Sequence, residues 1–199
     1  MTTNAKLVLA SASPRRRALL SQLGLTFDVG ATNVDETAPP GKRPENAVLA
    51  IAERKLDAYL RTSPSGSFVL AVDTDVVIEA RLFGKPSDAP AAKRMLAELA
   101  GRTHRVLSGL VLATPTGERF SVYEESRVTL SKLTATQIDS YVATGEPFDK
   151  AGGYAVQGQG AAFIEKVEGD YTNVVGLPLR STLRLLSKGS FPLPPHLRI

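Results

Sequence analysis

The segment KLVLASASPRRRALLSQLG, residues 6–24, contains the two patterns that decide the fold. Its first five residues, Lys6–Ala10, form a short apolar run that predicts a buried strand. Pro14–Leu23 places its leucines on one helical face, and Gly24 directly after it is a typical helix end. A strand that leads directly into a helix is typical of α/β proteins.

The rest of the chain continues the alternation of short apolar runs with helical patterns. We predict further strands at 27–31, 68–72, 105–113, 118–130 and 162–167, a hairpin at 76–83, and helices at 44–60, 88–99, 138–143 and 178–186. The sequence contains no internal repeat and no composition typical of an interdomain linker. We therefore expect one α/β domain over residues 1–199, with a core at about 6–187 and an extended tail at 188–199.

Composition excludes several classes of protein. Hydrophobic residues make up 43% and charged residues 22%, which is typical of a soluble globular protein. The chain has no cysteine, which excludes disulfides and thiolate metal sites. The net charge of +4 is too small to indicate nucleic-acid binding, and the apolar runs are too short to span a bilayer. We expect a cytoplasmic protein without a nucleic-acid or membrane partner.

The turn between the first predicted strand and helix favours an anion-binding site. A helix N-terminus offers free backbone N–H groups, to which Ser11 and Ser13 add hydroxyls and Arg15, Arg16 and Arg17 add charge. Because cations are unfavourable at a helix start, three arginines there require an explanation. The alternative is a helix cap followed by a solvated basic turn.

Two carboxylates follow the apolar run at 68–72. Ligands of open α/β sheets bind beyond the carboxyl ends of strands, so Asp73 is well placed for function. The alternative is an Asx turn that ends the strand. If the chain stays extended, Asp75 lies on the same side as Asp73, and the pair could bind a divalent cation or raise one pKa.

Other candidate residues are weaker when each is taken alone. Lys55 lies on the apolar face of the predicted helix at 44–60, where a lysine either extends to water or meets an anion. Lys85 and Glu36 lie in polar loops and are either solvated charges or ligands. The glycine-rich stretch at 145–160 lacks a complete dinucleotide-binding fingerprint. Its glycines would instead let the backbone approach a ligand closely, because they have no side chain.

Taken together, these segments resemble the Maf family of nucleoside triphosphate pyrophosphatases. The resemblance runs from Leu7 to about Leu186, and its specificity comes from many short motifs in the family's order. The motifs are LASASPRR at 9–16, DE at 35–36, ERK at 53–55, DT at 73–74, GKP at 84–86, TGEPFDKAGGY at 144–154, VQGQG at 156–160 and GDYTNVVGLP at 169–178.

The resemblance implies a fold, an activity and an assembly. The fold would be a mixed elongated sheet flanked by helices, in two lobes with a central cleft, as in inosine-triphosphatase-like proteins. The activity would be hydrolysis of a nucleoside triphosphate to the monophosphate and pyrophosphate, with magnesium or manganese as cofactor. The assembly would be a homodimer.

The resemblance also implies roles for individual residues. Asp73 would be the general base or would position the attacking water, and Lys55 and Lys85 would neutralise charge on the pyrophosphate. Glu36 and Asp73 would hold the metal. The substrate would contact Ser11, Ser13 and Arg16 through its phosphates and Arg15, Thr74 and Gln157 through its base. This last trio resembles the subgroup that prefers dTTP and UTP.

Two other functions stay open at this level. One is the same chemistry on 7-methyl-GTP, the substrate of the other subgroup. The second is a non-catalytic nucleotide-binding regulator of septum formation, although the presence of Asp73, Lys55 and Lys85 argues against it. Asp75 departs from the family pattern, which usually has an apolar residue there, and its role is open.

Overall fold

The structure is a computed structural model that describes residues 5–63 and 66–199. The strands in these ranges are β1 (Leu7–Ala10), β2 (Asp28–Val29), β3 (Phe68–Ile78), β4 (Arg81–Phe83), β5 (Thr103–Ala113), β6 (Arg119–Leu130) and β7 (Ile164–Glu168). The α-helices are α1 (Pro14–Gln22), α2 (Pro44–Thr62), α3 (Ala89–Leu99), α4 (Ala135–Ala143), α5 (Tyr171–Val175) and α6 (Leu179–Lys188).

The strands form one mixed sheet. Their order is β2-β1-β3-β5-β6-β7, and β4 pairs with β3 beside this path. β1 is parallel to both β2 and β3, whereas the β3–β4 and β6–β7 pairs are antiparallel. The predicted α/β class with a mixed sheet and flanking helices is therefore confirmed.

Side-chain caps fix the start of two of the helices, α1 and α4. The Ser13 side chain accepts a hydrogen bond from the backbone N–H of Arg16, and Pro14 occupies the first turn of α1. Thr134 and Gln137 form a capping box at the start of α4, so this helix begins three residues before the predicted start at 138. Each cap satisfies backbone N–H groups that the helix itself leaves without a partner.

Two expectations about the strands were wrong in extent, and one helix was missed. The strand predicted at 68–72 continues to Ile78, so Asp73 lies inside β3 and not at its end. The reason is that Val76–Ile78 pairs with β4 and keeps the chain extended past the two carboxylates. β2 is shorter than the predicted strand at 27–31, and the short helix α5 was not predicted.

The chain divides into two compact units, which we call the first and the second unit. The first contains the residues up to Asp73 together with Ser108–Glu124 and Gly176–Ile199, and the second contains Thr74–Leu107 and Glu125–Val175. The expectation of one domain over residues 1–199 stays a prediction.

The core of the first unit packs α2 against the sheet. Its buried residues are Val8, Ala10, Ala52, Leu56, Val69, Ala71, Val111 and Ala113. Gly109 of β5 lets the helix come close, since a Cβ there would lie 2.6 Å from the backbone N of Leu49 and the backbone C and O of Val48. Close packing at this point holds α2, and with it Lys55, against the strands.

The core of the second unit lies under α3 and α4. Buried side chains there include Val76, Phe83, Leu96, Val128 and Tyr141. Asp88 caps α3 by accepting a hydrogen bond from the backbone N–H of Ala91 at 2.7 Å. This core supports the loops on both sides of α3 and the segment that follows α4.

The segment after α6 contains no helix or strand from residue 191 to 194. It is nevertheless packed, because Phe191 and Leu193 are buried and the Phe191 ring meets Phe68 edge to face at 5.1 Å. Among residues 5–63 and 66–199, none of the helices is both long enough and apolar enough to cross a membrane.

Candidate active site

Four charged side chains of the first unit form what we call the charge cluster: Arg16, Glu36, Lys55 and Asp73. Lys55 lies at its centre, with its Nζ 2.6 Å from Asp73 Oδ1 and 2.8 Å from Glu36 Oε1. The side chains of Lys55 and Asp73 are only 5% and 8% exposed, whereas that of Glu36 is 42% exposed. Lys55 therefore meets two anions and does not extend to water.

Arg16 joins the cluster from the first turn of α1. Its Nε donates to the carbonyl of Gly176 at 2.9 Å, and its Nη1 donates to the carbonyl of Val72 at 2.9 Å. Burial lowers the pKa of the Arg16 guanidinium, and the negative charges of Asp73 and Glu36 oppose that effect. At least this arginine of the three at the helix start is explained by nearby carbonyls and carboxylates.

The two serines of the turn are engaged with the protein itself. The hydroxyl oxygen of Ser11, which is buried, accepts from the backbone N–H of Ser13 at 3.2 Å and from Arg16 Nη1 at 3.2 Å. Ser13 caps α1, and Arg15 is half-buried in its first turn. The structure thus shows the helix cap of the alternative interpretation, and a phosphate contact by these residues stays a prediction.

Glu36 is held by its neighbour in the polar loop before α2. The Asp35 carboxylate accepts from the backbone N–H of Thr37 at 2.8 Å, and its carbonyl accepts from Arg54 Nη1 at 2.7 Å. The hydrogen bonds from Thr37 lower the pKa of Asp35. This turn, fixed to α2 through Arg54, presents the carboxylate of Glu36 to Lys55.

The continuation of β3 past Asp73 carries a second carboxylate, that of Asp75. Because the strand is extended there, Asp75 lies on the same face as Asp73, as predicted. Asp75 is buried, and its Oδ1 accepts from the backbone N–H of Val76 at 2.8 Å. Thr74, between the two, is half-buried on the other face of the strand.

The remaining predicted residues, Lys85 and Gln157, are exposed residues of the second unit. Lys85 lies between β4 and α3, next to Gly84, whose carbonyl accepts from the backbone N–H of Gly152 at 3.2 Å. Gln157 lies in the glycine-rich stretch. The structure therefore assembles Arg16, Glu36, Lys55 and Asp73 in the first unit and places Lys85 and Gln157 in the second.

Two residues that the sequence did not single out, Tyr141 and Glu146, hold the glycine-rich stretch in place. Glu146 Oε1 accepts from the Tyr141 hydroxyl at 2.8 Å and from Gly160 N–H at 2.9 Å. A Cβ on Gly158 would lie 2.7 Å from Glu146 Oε2, and one on Gly160 would lie 2.5 Å from the Tyr141 hydroxyl oxygen. These glycines give the backbone access to Glu146 and Tyr141 of the same unit. The feature of the sequence that could have pointed to Glu146 is its place directly before Pro147, inside the glycine-rich stretch.

A buried pair joins the same stretch to β5. His104 is 2% exposed, and its Nε2 lies 2.7 Å from the Tyr154 hydroxyl oxygen. Burial lowers the pKa of His104 to about 4, so the ring is neutral at physiological pH. Its Nδ1 has no hydrogen-bond partner among the described residues. The pair contains no charged side chain, whereas the charge cluster consists of four.

The donor set of the charge cluster fits a divalent cation in part. Residues 5–63 and 66–199 contain no group of three or more His, Asp or Glu side chains arranged to hold a metal ion. Glu36 and Asp73 nevertheless point at one amine from 2.8 and 2.6 Å. Magnesium is commonly bound by one or two carboxylates together with substrate phosphates, so two carboxylates are a sufficient protein contribution.

Known proteins are similar to this chain over nearly its whole length. A dTTP/UTP pyrophosphatase of Anaeromyxobacter dehalogenans is 47% identical over 192 residues, which are 95% of this chain and 96% of that protein. A dTTP/UTP pyrophosphatase of Moorella thermoacetica is 49% identical over 187 residues, covering 92% and 94%. One of Myxococcus xanthus is 47% identical over 188 residues, covering 94% of each.

Similarity to solved structures is weaker. A nucleoside-triphosphatase (dITP/XTP pyrophosphatase) of Mycobacterium abscessus is 19% identical, with a TM-score of 0.39 over 64% of this chain and 75% of its own. At that level the likeness supports no conclusion about activity.

The family assignment rests on the sequence match. The family described as Maf-like protein matches residues 6–189, a range that includes the charge cluster, Lys85, Gln157 and the glycine-rich stretch. Taken with the relatives above, this match shows that the chain belongs to the Maf family.

Proposed function

We propose that this protein hydrolyses dTTP and UTP to the nucleoside monophosphate and pyrophosphate. The observation that carries the proposal is the buried Lys55 between the carboxylates of Asp73 and Glu36. Relatives of 47% and 49% identity bear the name dTTP/UTP pyrophosphatase, which supports the choice of substrate. The enzyme would be a hydrolase of a phosphoric anhydride bond.

Asp73 is the group that we assign to proton transfer. Water attacks the α-phosphorus, pyrophosphate leaves, and the Asp73 carboxylate orients the water and accepts its proton. The ion pair with Lys55 fixes this carboxylate, because one oxygen lies 2.6 Å from Nζ. A buried carboxylate without such a partner would be costly, so Lys55 both stabilises and positions the base.

The charges of the cluster explain why a cation would be needed. Arg16 and Lys55 balance Glu36 and Asp73, so the cluster has no formal net charge to attract a polyanionic substrate. We propose that Glu36 and Asp73 hold magnesium or manganese. When bound, the cation would neutralise phosphate charge and lower the pKa of water at the site.

The substrate contacts follow the assignments made from the resemblance. Ser11, Ser13 and Arg16 would support the phosphates beside the N-terminus of α1, whose dipole favours negative charge. Lys85 would neutralise charge that develops on the pyrophosphate. The remaining contacts, to the base, are assigned to Arg15, Thr74 and Gln157.

We also propose that the protein acts in the cytoplasm as a homodimer. The absence of cysteine fits a reducing compartment. The dimer is implied by the family resemblance alone, and sedimentation of the purified protein tests it. With a net charge of +4, we propose neither nucleic acid nor membrane as a partner.

The test is pyrophosphate release from dTTP, UTP, CTP, GTP and 7-methyl-GTP with magnesium or manganese. We expect turnover of dTTP and UTP, and a loss of about a thousandfold in Asp73→Asn with most nucleotide binding retained. Asp57→Asn is the matched control, because Asp57 makes an exposed ion pair with Arg119 in the same unit and should leave turnover unchanged.

Other results would favour the remaining candidates. Turnover of 7-methyl-GTP in place of dTTP and UTP would keep the mechanism and overturn the substrate assignment. Nucleotide binding without turnover of any substrate would overturn the enzyme and favour a regulator.

A further inference from the structure

We propose that Glu146 is a positioning residue for base selectivity, because its carboxylate fixes the backbone that carries Gln157. The inference rests on the proposed function, in which Gln157 meets the pyrimidine base. Glu146 belongs to neither the charge cluster nor the substrate contacts assigned above. Its carboxylate makes hydrogen bonds to other residues of the second unit.

The carboxylate of Glu146 uses both of its oxygens on the glycine-rich stretch. Oε2 accepts from the backbone N–H of Gln159 at 3.0 Å, and Oε1 accepts from that of Gly160 at 2.9 Å. Gln157 is two residues before the first of these anchored amides. The side chain thus holds the short segment 157–160 by its backbone, whatever side chains the segment carries.

Tyr141 adds an anchor on the other side of Gln157. Its hydroxyl donates to Glu146 Oε1 at 2.8 Å and accepts from the backbone N–H of Ala155 at 3.3 Å. Gln157 therefore lies between anchored backbone at Ala155 and anchored backbone at Gln159. A segment fixed at both ends over so few residues can present its exposed side chain in a narrow range of positions.

The glycine at 158 makes this attachment possible. Its φ of 98° lies in the region that side-chain-bearing residues rarely adopt. A Cβ there would also lie 2.7 Å from Glu146 Oε2. Both observations show that the backbone next to Gln157 is shaped around the glutamate carboxylate.

Glu146 is itself held on a rigid support. Its backbone N–H donates to Thr144 Oγ1 at 3.2 Å, and that hydroxyl donates to the Tyr141 carbonyl at the end of α4 at 2.6 Å. Its carbonyl accepts from Lys150 Nζ at 2.7 Å. The carboxylate therefore transmits the position of α4 to the segment that carries Gln157.

The contacts require a carboxylate and not an amide. Three donors converge on Glu146, namely one hydroxyl and two backbone N–H groups, and an ionised carboxylate offers only acceptors. Burial alone would raise the pKa of Glu146, but the hydrogen bonds from Gly160, Gln159 and Tyr141 lower it below its usual value. A glutamine would turn an NH₂ donor toward one of the N–H groups.

The test combines Glu146→Gln with hydrogen exchange and nucleotide binding. We expect the amides of Gln159 and Gly160 to exchange about tenfold faster or more, since each loses a charge-assisted hydrogen bond. The preference for UTP over CTP should fall about tenfold. It is measured as the ratio of Kd values in an Asp73→Asn background, where turnover is suppressed, and as the ratio of kcat/KM in the otherwise wild-type enzyme.

Two further variants separate positioning from a general loss of structure. Glu168→Gln makes the same chemical change at an exposed ion pair with Lys166 in the same unit and should leave both readouts unchanged. Gln157→Ala should lose the UTP preference by itself. Adding Glu146→Gln to it should cause no further loss of preference, because the two residues act through one contact.

The outcomes distinguish this inference from the proposed function. Faster exchange at Gln159 and Gly160 with an unchanged UTP:CTP ratio overturns the inference, as does a fall in kcat alone with both ratios unchanged. If wild-type protein binds UTP selectively but does not hydrolyse it, the proposed function fails, and loss of that binding preference in Glu146→Gln still supports the inference. If wild-type protein shows no preference for UTP, the inference fails.

Discussion

The charge cluster of the first unit and the polar groups around the glycine-rich stretch of the second unit are stabilised in different ways. In the first unit, the charge cluster balances two cationic side chains against two carboxylates. In the second, the pair of His104 and Tyr154 is neutral. In the second unit's glycine-rich stretch, the carboxylate of Glu146 is satisfied by hydrogen bonds from a hydroxyl and backbone amides.

The difference separates two tasks that a nucleotide-binding protein has to combine. Paired ions can be rearranged by an ionic ligand, because a phosphate or a metal competes directly for the same partners. Hydrogen bonds to backbone amides instead fix the path of the chain. The paired ions of the first unit are therefore suited to the proposed reaction, and the hydrogen-bonded glycine-rich stretch of the second unit is suited to positioning a side chain.

The largest effect on stability is expected from Lys55→Met. The change leaves the buried carboxylate of Asp73 without its ion-pair partner, which typically costs about 3 kcal/mol or more of unfolding free energy. Glu36 contributes less, because its side chain is 42% exposed and can be hydrated. Denaturant unfolding at pH 7 measures the loss.

A double variant tests whether the charge pairing itself is responsible. Lys55→Met with Asp73→Leu removes both charges, so most of the lost stability should return even though turnover is abolished. An equally unstable double variant would mean that packing at these positions, and not ion pairing, distinguishes the first unit.

A smaller effect is expected from pH, through His104. Its pKa is about 4 in the folded protein and about 6.5 in the unfolded chain, so folding favours the neutral ring. This contribution is complete above pH 6.5 and is lost as the pH falls from there toward 4. Between pH 7 and 5 the loss should be about 2 kcal/mol.

The measurement is the free energy of unfolding at pH 7 and pH 5 for the wild-type protein and for His104→Gln. The variant lacks the titrating ring, so the decrease in its free energy of unfolding between pH 7 and pH 5 should be smaller than that of the wild type by about 2 kcal/mol. If the free energy of unfolding depends on pH in the same way in both proteins, His104 is not a buried neutral imidazole. The contrast between the charge cluster and the pair of His104 and Tyr154 would then fail.

The smallest effect is expected from Tyr141→Phe. The ring stays packed edge to face against Phe163 at 5.1 Å, but Glu146 loses one donor and Ala155 N–H loses its acceptor. The loss of unfolding free energy should be about 1 kcal/mol, because the two backbone amides still hold Glu146. A loss as large as that of Lys55→Met would show that the second unit also depends on one central group.

Local sequence patterns were sufficient for most of the elements. Ser13 and Pro14 mark the start of α1, and Thr134 and Gln137 mark that of α4, because a cap is made within three residues of chain. The end of β3 could not be predicted in this way. The strand predicted at 68–72 and the hairpin predicted at 76–83 join through residues 73–75 into one strand, and local patterns could not show this because an aspartate at a strand end is equally compatible with a turn.

The candidate site, like the fold, was in part determined by the sequence and in part decided by tertiary contacts. Sequence by itself determined the α/β class, the residue types able to bind a triphosphate and the resemblance to Maf proteins. Hydrophobic periodicity and caps are local properties, and motif order is a property of the linear sequence, so none of them depends on the folded structure. Only the tertiary structure decided that Lys55 is buried between Glu36 and Asp73, and that Gly158 and Gly160 approach Glu146 and Tyr141. Which charge is paired, and which glycine makes room for which side chain, depends on contacts between residues distant in the sequence or on opposite sides of a turn, and these exist only once the chain has folded.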